Sequence, residues 1–159
     1  MTAAAHLAAT HRVALLEAEE SAGYHATGRF AAIWIRNYGG ADVRILTAAS
    51  RDFFEAPPAG FAEAPLAHPR PVVHLAPADQ VEHLRAMIAE GDDMREISLA
   101  DVQAMAPVLR PGYAVMAAIE SDCFDIDVAA MHQGFLRQVR LAGGVLALRS
   151  RAGRLWREN

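Results

Sequence analysis

A short apolar run, Val13–Leu16, ends in the carboxylate of Glu17. A loop containing Gly23 then leads to a hydroxyl, a glycine and a guanidinium in succession at Thr27-Gly28-Arg29. Those residue types in that order suit a dinucleotide. A carboxylate at the end of a buried strand accepts hydrogen bonds from ribose hydroxyls, and a flexible turn carrying a cation can lie along a pyrophosphate. Each half also has a plainer reading. Glu17 reads equally as a surface carboxylate at a strand end, and Thr27-Gly28-Arg29 as the start of a helix. The glycine-rich phosphate turn that completes such a site, Gly-x-Gly-x-x-Gly, does not precede the strand, because Met1 falls inside the first helix.

Other reactive side chains fall into weaker patterns. The seven histidines show no i, i+4 pair and no Cys/His ligand spacing, so no metal site is expected. Asp122, Asp125 and Asp127 lack the turn glycine and the distal glutamate of a calcium loop, and read as helix caps. Cys123 has no activating neighbour in sequence and reads as a small packed residue. Neither a Gly-x-Ser-x-Gly elbow nor a phosphate loop is present, and no catalytic residue is assigned.

The elements that must position these groups follow from periodicity and punctuation. Thr2–Thr10 reads as a small-residue helix, and Arg12–Leu16 as a buried parallel strand. Ser21–His25 is a loop. Gly28–Asn37 and Asp42–Glu55 read as two helices split by Gly39-Gly40, with Asp42 as an N-cap. Pro57-Pro58 opens a proline-punctuated loop through Pro71, followed by a strand at Val72–Leu75 and a helix through Glu90 capped by Asp79. Met94–Ile97 leads to Ser98, which with Asp101 predicts a capping box for Leu99–Met105. Gly112–Ile119 reads as a strand. A helix begins at Asp125 or Asp127 and runs through Leu141, where Gly143-Gly144 stops it. Val145–Leu148 and Leu155–Trp156 read as final strands.

The 159 residues have the size of one ordinary domain, and 53% hydrophobic with 21% charged content describes a cored globular protein. A net charge of −4, with no lysine and no basic run, gives no footprint for nucleic acid. No stretch is apolar enough for a membrane span, and the lone Cys123 fits a reducing cytoplasm.

Several separate motifs occur in a characteristic order: Leu16-Glu17, Gly23-Tyr24-His25-Ala26-Thr27-Gly28-Arg29, Val43–Arg51, Pro57-Pro58-Ala59-Gly60-Phe61, and Asp125-Ile126-Asp127 with His132–Arg137. In these the chain resembles the FAD-dependent D-amino-acid oxidase and dehydrogenase superfamily, and within it D-arginine dehydrogenase and its relatives. The likeness covers nearly all of this chain and roughly the first half of the family's length. It implies an α/β fold: an FAD-binding, Rossmann-like, doubly wound domain lacking its first strand, with part of an α+β substrate domain. The domain reading is 1–56 for partial FAD binding, 57–120 for part of the substrate domain, and 121–159 for the return to FAD binding.

The resemblance further implies FAD as cofactor and an amino acid or amine as small-molecule substrate, oxidised at its Cα–N bond by hydride transfer to flavin. By matching position, Glu17 holds the adenosine ribose, while Thr27, Gly28, Arg29, Ala31 and Ala32 lie along the pyrophosphate and toward the flavin. Tyr38 matches a tyrosine that closes over substrate. Phe30 stands where the family has a small serine. Ile33 and Val72 stand where arginine-specific relatives place an imidazole and a carboxylate, which points away from a cationic substrate. The phosphate turn and the family's second half are missing, so the chain is expected to be a fragment that binds FAD weakly or not at all. The other readings are a non-catalytic remnant acting as a folding or self-associating module, and one half of an enzyme completed by a second chain.

Overall fold

Two compact units make up the computed structural model, in which the structure describes residues 1–25, 27 and 32–153. The first unit comprises Met1–Ala32, Asp52–Leu66 and Ile126–Asn159, and the second Ile33–Arg51 and Ala67–Asp125. The chain therefore passes back and forth between them.

In the first unit, helix α1 (Thr2–Ala8) buries Ala4, Ala5 and Ala8. Their short side chains let its backbone approach helix α5 (Val128–Leu141) closely. Strand β1 (Ala14–Leu16) pairs in parallel with β8 (Val145–Ala147), Ala14 opposite Val145 and Leu16 opposite Ala147. Helix before strand, twice, around a parallel pair is the doubly wound arrangement expected. The core is aromatic. Phe61 stands edge-on to both Phe53 and Phe135, with ring centroids 5.0 Å apart in each pair, above fully buried Leu66 and Val139.

Helix α5 buries His132, Phe135, Leu136 and Val139, the i, i+3, i+4, i+7 stripe of a helix with one face inward. Asp127 caps it, Oδ1 accepting the Ala130 N–H at 2.8 Å. Gly143 ends it with φ +78°, a left-handed conformation that glycine adopts without steric cost.

In the second unit, β6 (Met116–Glu120) is the middle strand of an antiparallel sheet between β4 (Val72–Ala76) and β5 (Met94–Ile97). It is buried at every position. Helix α3 (Val81–Glu90) covers this sheet, setting Leu84 among Ala76, Met94, Met116 and Ala118. Helix α4 (Leu99–Met105) starts at Ser98, whose Oγ accepts the Asp101 N–H at 3.1 Å and donates to Asp101 Oδ2 at 2.6 Å. A second three-stranded sheet has β7 (Phe124–Ile126) between β2 (Ala32–Trp34) and β3 (Ala67–Pro69). Trp34 stacks on Phe124 at 4.9 Å and donates its indole N–H to Thr47 O at 3.0 Å, at the side of helix α2 (Ala41–Glu55).

Several local expectations are corrected. The described part of the segment expected as a helix over Gly28–Asn37 is instead strand β2 followed by a turn. Bulky Ile33 and Trp34 suit a pleated surface. The Asn37 N–H is taken by Glu120 Oε1 at 3.0 Å, a long-range bond that overrides local propensity. Asp42 lies within the first turn of α2 rather than ahead of it. Asp79 does not cap α3: a 3-10 turn, Ala78–Gln80, closed by Gln80 N–H to Pro77 O, intervenes. Of the three clustered aspartates only Asp127 caps a helix. Asp122 pairs with Arg51, and Asp125 with Arg70 at 2.9 Å. The loop through Pro71 contains β3, the strand expected from Gly112 begins at Met116, and Leu155–Trp156 lie outside the described residues.

Candidate functional site

Parallel pairing fixes the position of Glu17. Its N–H donates to Ala147 O at 2.9 Å, and its carbonyl accepts the Ser150 N–H at 2.7 Å, so the residue extends the β1–β8 ladder by one step. The half-buried side chain reaches forward along the chain, with Oε1 accepting the Glu19 N–H at 3.2 Å. Among the described residues nothing bonds Oε2. A carboxylate is thus pinned at the carboxyl end of a parallel strand with acceptor capacity to spare, the arrangement that takes ribose hydroxyls. Glu19 in turn holds His25, Nε2 to Oε1 at 3.0 Å, which ties down the following loop.

That loop and the first turn of α5 enclose a cavity of about 410 Å³, lined by Gly23, Thr27, Asp127, Ala129, His132 and Gln133 among others. His132 is 7% exposed, and its Nε2 has no hydrogen-bond partner among the described residues. Burial holds this imidazole below its ordinary pKa, helped by the N-terminal ammonium of Met1, so it is neutral near pH 7. Nε2 faces Gly23, where an added Cβ would lie 2.9 Å away. Gly23 has φ +77° as well, so the position needs glycine on two counts. An orphaned buried nitrogen and a glycine-lined cradle beside Thr27 fit a ligand bearing hydrogen-bonding groups.

Of the other expected site residues, Ala32 opens β2, half-buried. Gly28, Arg29 and Ala31 lie outside the described residues. Tyr38, in the second unit, is 71% exposed at the end of a turn that is fastened from several directions. Asn37 exchanges side-chain bonds with the Asp92 backbone at 2.8 and 3.0 Å, and Arg44 Nε donates to Gly39 O at 3.1 Å. The structure thus places Glu17 and Thr27 in the first unit and Tyr38 in the second.

Three further residues stand out in the structure. His132 lies in a motif of the resemblance without an assigned role, although its place on the apolar stripe of α5 is a readable signal. Gly23 reads in sequence as a loop glycine and the start of a motif, with no role of its own. Glu120, fully buried at the end of β6, accepts from Asn37 N–H and lies 3.3 Å from His74 Nε2, with Cys123 also bonded to it. Nothing local in the sequence marks that cluster.

Among the described residues no helix is long and apolar enough to cross a membrane. The model of the family described as DAO, FAD dependent oxidoreductase, matches residues 1–159. Among solved structures, the chain is similar to glycine oxidase from Bacillus cereus ATCC 14579, with TM-score 0.77, 16% identity, and coverage of 99% of this chain and 47% of that one. It is similar to L-proline dehydrogenase from P. horikoshii, with TM-score 0.72, 16% identity and coverage of 98% and 43%. A third similar structure is L-alpha-glycerophosphate oxidase from Mycoplasma pneumoniae with FAD bound, with TM-score 0.73, 9% identity and coverage of 92% and 41%. The chain spans less than half the length of each of the three.

Proposed function

This chain belongs to the FAD-dependent oxidoreductase family, and from that premise we propose that it supplies FAD-holding residues to a flavoenzyme oxidising the Cα–N bond of a D-amino acid or related amine. FAD is the family's cofactor. When bound, it supplies the hydride acceptor, while the protein binds, orients and excludes water. Glu17 accepts the adenosine ribose hydroxyls. Thr27, Gly28 and Arg29 follow the pyrophosphate, and Ala31 and Ala32 leave space toward the flavin. Tyr38 faces substrate. Residues 1–56 and 121–159 serve the cofactor and 57–120 the substrate. The lone buried Cys123 accords with a reducing, cytoplasmic setting.

The observation that carries this reading is Glu17, fixed by the β1–β8 ladder with one carboxylate oxygen unclaimed among the described residues. Titration of the chain with FAD, followed by quenching of flavin fluorescence, tests it. Glu17→Gln should weaken FAD about tenfold, the loss of one charge-assisted hydrogen bond. Riboflavin, which has no adenosine, should bind both forms alike. Equal FAD affinity in the two forms overturns the assignment. The substrate class is tested in the protein that carries this chain: a D-amino acid should bleach the flavin's visible band anaerobically, and its enantiomer should not.

A further inference from the structure

We propose that the cavity between the 22–27 loop and the first turn of α5 is a polyol subsite, where His132 Nε2 hydrogen-bonds a hydroxyl of an uncharged, hydroxyl-rich ligand segment. Naming the ribityl chain of FAD as that segment rests on the cofactor reading above. The subsite itself rests on the cavity's own chemistry.

The lining decides between hydroxyls and phosphate. Among the described lining residues there is a carboxylate, Asp127, and no cation. His132 is held neutral by burial. Among the described residues no cationic side chain lines the cavity to offset a phosphate beside Asp127, whereas a hydroxyl donates to a carboxylate readily. Thr27 offers a hydroxyl and Gln133 an amide, so the walls present both donors and acceptors, as a chain of hydroxyls requires. At about 30 Å³ per water, 410 Å³ exceeds the room of ten waters and holds a five-carbon chain. A buried nitrogen with no partner is costly, and it is the group a ligand hydroxyl would satisfy. Nε2 lies against Gly23, where the absence of a side chain leaves the room that a Cβ 2.9 Å away would fill.

The test is a long-range proton–nitrogen NMR spectrum of the imidazoles in the labelled 159-residue chain, titrated with FAD, riboflavin, lumiflavin and ribitol. FAD and riboflavin should shift His132 Nε2, and lumiflavin, which lacks the ribityl chain, should not. His132→Phe should weaken FAD about tenfold while His132→Gln, which keeps a hydrogen-bonding end, retains most of the affinity. The Gln variant guards against a loss that is only misfolding. A shift with ribitol alone shows a site open to free polyols, and a shift with riboflavin but not ribitol shows one reserved for the flavin's own chain. If FAD binds but Nε2 stays still, or His132→Phe binds as tightly as wild type, the subsite is overturned and the cofactor reading stands. If no flavin binds, the cofactor reading fails for this chain, and ribitol decides: a shift supports the subsite and silence overturns it.

Discussion

Glu120 and Cys123 show how a side chain's chemistry is set by neighbours far away in sequence. Burial pushes the Glu120 carboxyl up, but bonds from His74, the Asn37 N–H and Cys123 outweigh it and hold it below the ordinary carboxylate range. The same packing works against Cys123: burial first, then the charge of Glu120, pushes its thiol up to about 12. A thiol so raised has almost no thiolate at pH 8. Cys123 should therefore react with an aromatic disulfide reagent orders of magnitude more slowly in the folded chain than in denaturant, read as absorbance against time. Comparable rates would show that it is not held as described. Cys123 was legible in sequence as a small packed residue. Its carboxylate neighbour was not, because it depends on how β6 is set between β4 and β5. The place of Glu17 at the end of β1 was legible because its signal is local, an acid directly after an apolar run.

Helix α5 carries the clearest consequences among the elements. Its Asp127 cap and Gly143 stop were readable in advance, since caps depend on residues a few positions apart. Asp127→Ala should lower unfolding stability by about 1 kcal/mol, measured by urea denaturation. Gly134 looks like a weakness in the same helix, and propensity alone says alanine there gains about 1 kcal/mol. Packing says otherwise, because a Cβ at Gly134 would lie 2.5 Å from the Phe61 ring and 2.7 Å from its carbonyl oxygen. Overpacking costs about 1–3 kcal/mol, so Gly134→Ala should be net destabilising, and a raised denaturation midpoint would refute this. Strand β2 was illegible for the opposite reason. What holds Asn37 out of a helix is Glu120 and the Asp92 backbone, neither near in sequence.

Across the whole molecule, the two units should yield to acid in sequence. His132 has its pKa lowered by burial, so the unfolded chain takes up that proton first, and stability falls as pH drops below about 6.5. Asp122, held down mainly by its bond from Arg51, and Glu120 have the same sign but act only as pH falls below about 4.5. Hydrogen exchange should show the first unit losing protection at the higher pH, with His132→Phe removing that early loss. Simultaneous loss in both units would contradict it. The parallel pairing of β1 with β8 could not be read from either strand alone, because the two lie more than a hundred residues apart. That pairing reaches beyond the finished protein. On the ribosome, Ala14 has no partner until Val145 emerges. At roughly 5–20 residues per second, the nascent segment waits on the order of ten seconds. Until α5 emerges, Val13 and Leu15, and then Phe53 and Phe61, lack the cover that it later brings. A weakened α5 should therefore register first as lost soluble yield.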